Sequence, residues 1–286
     1  MIHELKKMGS ENEIGGEALR ARLKLYESTI MQALLNNLEG WDGLKLTEIE
    51  RLESIQCNIL KEILELPKST SHVGLILELG VIPMQERIMY KQLMLFHSIL
   101  HSPESRLARQ LLQQQKDFQM QRCLQSKIHE ISKEIDLDCR WKTVQKHKKS
   151  SFKKLVKKKL HLHAHQRLRL LGENKTKLRF IDKSSFQRAH YINNASSVLA
   201  YKIIKIRLNM EDLKSNFPSS RDDNCICTLC LLDQETTEHV LTCKEVNRPS
   251  LSVEWLNDSQ DITKWSKICQ RYVEFLDKKE AIQKSE

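Results

Sequence analysis

Four residues that suit metal coordination lie close together in the last quarter of the chain: Cys227, Cys230, His239 and Cys243, spaced C-x2-C-x8-H-x3-C. Two cysteines separated by two residues can direct both thiolates at one ion from a tight turn, and a His and a Cys four residues apart share one face of a helical turn. The spacing therefore predicts a tetrahedral Cys3His site for one structural zinc ion. Because protein ligands fill all four positions, none is left for a reacting water, and a hydrolytic role is not expected.

A further cysteine leaves the ligand set open at one position. Cys225 and Cys227 could each pair with Cys230, but two intervening residues are the usual zinc spacing, so Cys225 is expected to be the spare. The alternative interpretation treats these cysteines as free thiols and His239 as a residue of a helix surface. Clustering in a reducing compartment favours a metal site over disulfides. The other cysteines, expected to be small buried hydrophobic residues, are Cys57, Cys123, Cys139 and Cys269.

A second group of chemically meaningful residues is a run of cations without an acid. Twelve Lys and Arg residues lie between Cys139 and Gly172, which exceeds the net charge of +10 of the whole chain. Interleaved apolar residues predict a helix that docks by one face and carries its charges outward. We expect phosphate contacts, since unbalanced cations repel one another unless a polyanion offsets them; a solvated surface helix or a nuclear-import signal would have the same composition. The twelve are Arg140, Lys142, Lys146, Lys148, Lys149, Lys153, Lys154, Lys157, Lys158, Lys159, Arg167 and Arg169.

Three histidines alternate within this run. On a helix His161 and His165 share a face while His163 points elsewhere, so no three-ligand metal site follows. They are expected to be titratable surface residues beside the phosphate-binding lysines.

The composition predicts a mainly α protein. Eight glycines and five prolines are few for 286 residues, and the long Leu-, Ile-, Lys-, Glu- and Gln-rich segments between them favour helix. We expect a helical bundle or elongated helical array, followed by a small CCHC zinc-binding unit and a C-terminal helix. The expected segments are a loose lead-in (1–16), a helical domain (17–136), a basic helical segment (137–193), a helix with the zinc unit (194–250), and a C-terminal helix with a tail that frays from Lys278 (251–286).

Several helix boundaries can be predicted locally. An apolar stripe over 19–34 predicts a helix that ends near Asn36. Ser71 can cap a short helix that Gly80 terminates. Residues 104–135 indicate one or two amphipathic helices, with three apolar residues facing inward: Leu107, Leu111 and Phe118.

The charge and the lack of apolar runs indicate the partner and the compartment. A net charge of +10 and a pI near 9.1 suit an anionic partner, although charge alone does not separate DNA, RNA and membrane surface. No apolar run approaches the roughly 20 residues that span a bilayer, and the polar start lacks a signal-peptide core. We expect an intracellular, nuclear protein that binds RNA or DNA largely without sequence preference, has no membrane or small-molecule partner, and has room for a protein partner.

Two sets of residues stand in an order typical of a known family. The first runs through 26–41, 52–53, 63–70 and 78–83; the second runs through 203–210 and 212–217 into the four candidate zinc ligands. Together they resemble the region after the palm domain in reverse transcriptases of non-LTR (LINE-like) retrotransposons. The resemblance implies a thumb and linker region with a C-terminal CCHC zinc motif, which in that family helps to hold template RNA and target DNA during target-primed reverse transcription.

The chain also departs from the family. Asn36-Asn37-Leu38-Glu39-Gly40 stands where the family often has Tyr-Gly-Ser-Glu-Thr, and Lys244 stands where a proline often follows the last ligand. No Tyr-x-Asp-Asp unit or endonuclease motif is visible, and Asp222-Asp223 lies in a polar loop without flanking strands. We therefore expect a non-catalytic fragment or remnant of such an enzyme.

Three functions are compared. In the leading hypothesis the basic helix follows the phosphate backbone, while the zinc unit stiffens a second contact surface through Arg221 and Lys244. The alternative is a helical interaction scaffold with a structural zinc and a nuclear-import run, whose apolar stripes at 88–99 or 262–276 face a protein. Polymerase activity in trans with a separate catalytic subunit ranks lowest.

Overall fold

The computed structural model describes residues 17–40, 44–216, 225–258 and 260–285. These residues are predominantly helical and form no strand beyond an isolated antiparallel bridge between Ile226 and Gln234, which confirms the mainly α prediction. The expected lead-in (1–16), Arg221 and the Asp222-Asp223 loop lie outside the described residues.

The α-helices are listed in chain order, with bounds as the backbone defines them. They are α1 (Glu17–Leu25), α2 (Met31–Leu34), α3 (Leu46–Ile63), α4 (His72–Leu79), α5 (Met84–Leu100), α6 (Leu107–Asp117), α7 (Leu124–Glu134), α8 (Trp141–Lys146), α9 (Lys149–Glu173), α10 (His190–Asn194), α11 (Ser197–Arg207), α12 (Thr237–Thr242) and α13 (Ile262–Ser285). A π-helical turn (Tyr26–Ile30) precedes α2, and 3-10 turns occupy Leu38–Gly40, Thr176–Leu178 and Val253–Asn257.

The chain forms two compact units, and each combines separated segments. Unit 1 contains Met1–Lys24, Asn58–Gly80 and Gly172–Glu286, and unit 2 contains Leu25–Cys57 and Val81–Leu171. The contiguous segments drawn from the sequence follow changes of composition along the chain, whereas the units group helices that pack together in space. The division by composition and the division by packing are therefore different.

Helix α4 of unit 1 has the predicted ends. The Ser71 hydroxyl accepts a hydrogen bond from the Gly74 N–H, and Gly80 ends the helix in the left-handed region at φ 58°. A side chain at Gly80 would also collide with the backbone of Arg188. Glycine is required there both for its backbone angle and for the close approach of a second segment.

A buried ion pair joins α4 to α11 within unit 1. Arg207 Nε donates to Glu78 Oε1 at 2.5 Å, its second guanidinium nitrogen reaches Oε2 at 3.2 Å, and the Tyr191 hydroxyl donates to Oε1 at 2.6 Å. A third Arg207 nitrogen donates to the Leu256 carbonyl. Because both charges are almost fully buried, each depends on the other to remain ionised.

Unit 2 contains a core built from α5, α7 and α9. Leu93 and Phe96 of α5, Ile128 and Ile131 of α7, and Phe152 of α9 are at most 1% exposed and belong to one cluster. A stripe with helical spacing supplies this cluster from each helix, as the apolar periodicity predicts.

Helix α6 presents a different face from the predicted one. Leu107, Leu111 and Phe118, expected to face inward, are 68%, 47% and 76% exposed, while Leu112 is buried. Leu111 and Leu112 are neighbours, so two leucine-containing stripes about 100° apart were open to this helix. The expected orientation is therefore wrong, because tertiary packing selected the stripe with Leu112.

The π-helical turn shifts the phase of the first apolar stripe. The Met31 N–H bonds to the Tyr26 carbonyl, five residues back, so the turn holds one residue more than an α-turn. As a result Leu35, at 4% exposure, takes the buried place that regular periodicity assigns to Leu34. The helical end near Asn36 is confirmed.

Candidate metal centre and basic helix

The four predicted ligands converge at one point in unit 1. One donor atom from each of Cys227, Cys230, His239 and Cys243 lies within 4.8 Å of all the others, and Cys230 Sγ is 3.4 Å from His239 Nε2. Cys227 and Cys243 are buried. The arrangement could hold a metal ion, as the spacing predicts.

A short hairpin and a capped helix position these ligands. The Cys227 N–H bonds to the Asp233 carbonyl at 2.7 Å, and the Leu231 N–H returns to the Cys227 carbonyl at 3.0 Å, which folds the Cys-x2-Cys segment into a tight turn. Thr236 caps α12 by accepting from the His239 N–H. Cys243 ends that helix, with its N–H bonded to the His239 carbonyl, so His239 and Cys243 lie one turn apart.

The fifth cysteine lies outside the cluster. Cys225 Sγ lies 4.0 Å from the Lys214 carbonyl oxygen instead of facing the other sulfurs. The structure therefore selects Cys227 as the ligand and leaves Cys225 as the spare. The four scattered cysteines are all buried, as predicted.

The environment of the sulfurs differs from one cysteine to the next. Burial raises the pKa of Cys227 to about 12 and also raises the pKa of Cys243. Burial raises the pKa of Cys230 too, but the backbone N–H groups of Asp233 and Leu232 donate to its sulfur and hold the pKa below the usual value. Cys230 is thus the first of the three to become the thiolate that a metal requires.

A buried carboxylate ties the metal-site turn to α13. Glu235 accepts from the Thr228 N–H at 3.1 Å, the Thr228 hydroxyl at 2.9 Å and the Lys279 ammonium at 2.8 Å. Lys279, 5% exposed, also donates to the Asp212 carbonyl. Burial raises the pKa of Glu235, but the hydrogen bonds from Lys279 and Thr228 outweigh it, so the pKa lies below the ordinary value.

The expected fraying from Lys278 is therefore wrong. Helix α13 continues to Ser285, and Lys279 lies seven residues after buried Tyr272, on the same stripe. This spacing was visible in the sequence, but the buried Glu235 that stabilises the charge lies far away along the chain.

An arginine that the sequence analysis did not identify holds α13 against the metal site. The Arg271 guanidinium donates to the carbonyls of Val240 at 2.8 Å, Cys243 at 2.5 Å and Pro249 at 3.0 Å, and also to the Arg248 carbonyl. These carbonyls lie at and beyond the end of α12, where no intrahelical donor remains. Arg271 thereby satisfies the backbone on both sides of the last ligand.

Helix α9 of unit 2 carries most of the predicted cations. It buries Phe152, Val156 and Leu160 on one face, while most of its lysines are exposed on the others. This agrees with the expected docking by one face. Among the described residues, no helix is both long enough and apolar enough to cross a membrane.

The twelve cations are not equivalent. Arg167 is only 24% exposed and bonds to Glu86 at 3.0 and 3.1 Å and to Glu53 at 2.9 Å. Arg140 pairs with Asp138, and Lys159 pairs with Asp136 at 2.8 Å. Eight lysines form no ion pair with the described part of the chain: Lys142, Lys146, Lys148, Lys149, Lys153, Lys154, Lys157 and Lys158.

The central histidine of the run is not a surface residue. His163 Nδ1 lies 3.0 Å from Glu86 Oε1, and its Nε2 lies 3.3 Å from Glu134 Oε1. The hydrogen bond with Glu86 raises the pKa of His163 in spite of its burial. Together with Arg167, His163 balances a fully buried carboxylate, so the expectation of three surface histidines is wrong at this position.

Comparison with known proteins gives no relative. No family model matches the chain, and neither the curated proteins nor the solved structures contain a match. The resemblance to the post-palm region of non-LTR reverse transcriptases therefore stays a prediction. The geometry supports two candidate sites, a Cys3His metal centre in unit 1 and a lysine-rich helix surface in unit 2.

Proposed function

We propose that this chain is a non-catalytic, zinc-stabilised nucleic-acid-binding protein. The supporting observation is the set of eight exposed lysines without ion pairs, on and just before a helix that an apolar stripe anchors to unit 2. Such a surface lowers its electrostatic free energy when it binds a polyanion. Each phosphate that it neutralises releases counterions and adds affinity without reading a base.

Zinc is the metal that best fits the centre in unit 1. Three sulfurs and one imidazole nitrogen are a donor set that zinc prefers, and a closed set of four ligands is typical of structural sites. A metal bound there would fix the Cys227–Cys230 turn against α12 and add its binding free energy to folding. Lys244, which directly follows the last ligand, is exposed and would extend the cationic surface of unit 1.

The origin that we propose is the post-palm region of a non-LTR reverse transcriptase. Its support is the order of the matching sequence blocks, which end in the C-x2-C-x8-H-x3-C segment. The chain would then hold RNA or DNA in the nucleus, with any chemistry supplied elsewhere or lost.

The scaffold alternative loses the surfaces on which it depended. Phe96 within the 88–99 stripe and Trp265 within the 262–276 stripe are fully buried, so neither stripe is free to face a protein partner. Phosphate contact remains the function that the exposed side chains favour.

The proposal is tested by the salt dependence of binding. Dissociation constants for a labelled duplex DNA and an unstructured RNA would be measured by fluorescence anisotropy across a series of salt concentrations. We expect a steep linear fall of log affinity with log salt, and a slope reduced by up to about 0.9 per lost duplex phosphate contact and about 0.7 per lost single-strand contact when four lysines are neutralised. The four substitutions are Lys153→Gln, Lys154→Gln, Lys157→Gln and Lys158→Gln.

A matched control removes the same charge from dispersed exposed positions. Its substitutions are Lys24→Gln, Lys68→Gln, Lys133→Gln and Lys175→Gln. If net charge alone causes binding, both variants weaken equally; if the α9 surface is the site, the control keeps most of the slope. A salt-independent affinity, or one that the α9 variant does not change, refutes the proposal.

A further inference from the structure

A cavity of about 410 Å³ opens beside the exposed lysines of α9, entirely within unit 2. Leu35 and Leu160, both nearly fully buried, give it an apolar floor. Tyr90 of α5 lines it, and Lys153 and Lys157 of α9 stand at its edge. The cavity therefore combines an apolar interior, an aromatic ring and cations.

The charge of the cavity is positive. Its one acidic lining residue is Glu86, and hydrogen bonds from His163 and Arg167 already satisfy that carboxylate. The other ionic lining groups are cationic: Arg87, Lys91, Lys153 and Lys157. A ligand that fits must combine an apolar, flat part with negative charge.

Tyr90 is the residue that would contact the flat part. Its side chain is half-buried, and its hydroxyl has no hydrogen-bond partner in the described part of the chain. Lys157 Nζ lies 6.0 Å from the ring centroid, at the outer limit of a cation–π contact, so the ring is only weakly engaged. An aromatic ring with cations beside it is the usual platform on which single-stranded nucleic acid stacks its bases.

We propose that this cavity receives one unpaired nucleotide of a bound strand, with its base against Tyr90 and the adjacent phosphates on Lys153 and Lys157. The two lysines are four residues apart on α9, which separates them by about 6 Å along the helix axis. Bases in a duplex are paired and stacked and cannot enter without being extruded. The inference rests on the proposed function and makes it specific: unpaired RNA or DNA is preferred to duplex.

The test compares Tyr90→Leu with Tyr90→Phe. Leucine keeps an apolar side chain but removes the stacking ring, and phenylalanine keeps the ring. We expect Tyr90→Leu to weaken binding of an unstructured oligoribonucleotide and of the same DNA sequence by roughly 5- to 100-fold, without changing the affinity for duplex DNA. Tyr90→Phe should retain the wild-type affinities. Equal losses on single strands and duplex, or no loss from Tyr90→Leu, would overturn the inference.

A second readout reports stacking directly. A fluorescent purine analogue within the strand should be quenched on binding to the wild type and to Tyr90→Phe, and should remain bright with Tyr90→Leu. A free mononucleotide is the remaining arm: if it binds as tightly as the strand, the assignment to a strand is wrong.

The failure of this inference can be separated from failure of the proposed function. If the four-lysine variant weakens binding but Tyr90→Leu changes nothing, phosphate contact stands and the nucleotide pocket does not. If wild-type protein binds neither single strand nor duplex, both are refuted.

Discussion

The buried pair of Glu78 and Arg207 allows a quantitative prediction for the stability of unit 1. Glu78→Gln keeps the size of the side chain but leaves the Arg207 guanidinium, 1% exposed, without its counter-charge. The remaining bond to the Leu256 carbonyl cannot neutralise it. Removing one partner of such a pair costs about 3–5 kcal/mol, more than a typical surface change by an order of magnitude.

The measurement is urea unfolding followed by tryptophan fluorescence, for which Trp265 is a local probe at 5.9 Å from the Arg207 guanidinium. With a slope of about 2–3 kcal/mol per molar urea, the midpoint should fall by about 1–2 M. Replacing both partners, as Glu78→Leu with Arg207→Met, should cost less than the sum of the single changes because no unpaired charge remains.

A matched control is Glu280→Gln, which removes the partner of Lys284 on the exposed side of α13. Its unfolding midpoint should equal that of the wild type, since both side chains lie in solvent. The reasoning is refuted if Glu78→Gln moves the midpoint no further than Glu280→Gln, or if the double replacement equals the sum of its parts.

Two further predictions concern the metal centre. Elemental analysis should find one zinc per chain, which Cys230→Ser removes and Cys225→Ser retains; the opposite result would reassign the ligand set. Lys279→Met leaves the Glu235 carboxylate buried without its cation, and competition with a chelator should show about a tenfold weaker hold on zinc, while exposed Lys284→Met changes nothing. An unchanged affinity in Lys279→Met would show that α13 does not support the site.

Features set by neighbouring residues were predictable from the sequence. The two ends of α4 follow from Ser71 and Gly80, each of which acts on the backbone within one turn. The ligands at 227–243 are likewise a local pattern, because a turn and one helical turn are enough to bring them together.

Features set by distant partners were not predictable. The run from 140 to 169 contains no acid, yet Arg167 is neutralised by Glu53 and Glu86, which α3 and α5 supply. Lys279 is buried for the same kind of reason, through Glu235. A charge count over a window measures only what the window contains, and the compensation depends on which helices pack together.

The interleaved composition of the two units also sets an order for folding during synthesis. Unit 2 needs nothing beyond Leu171, so its core can assemble while the rest of the chain is still being made. Unit 1 must wait for α13, which supplies Arg271 and Lys279. Until then the apolar face of α4 stays uncovered. A ribosome that pauses between 172 and 261 would thus expose α4 to chaperones or to aggregation, and a premature stop there would yield a finished unit 2 attached to an unfinished unit 1.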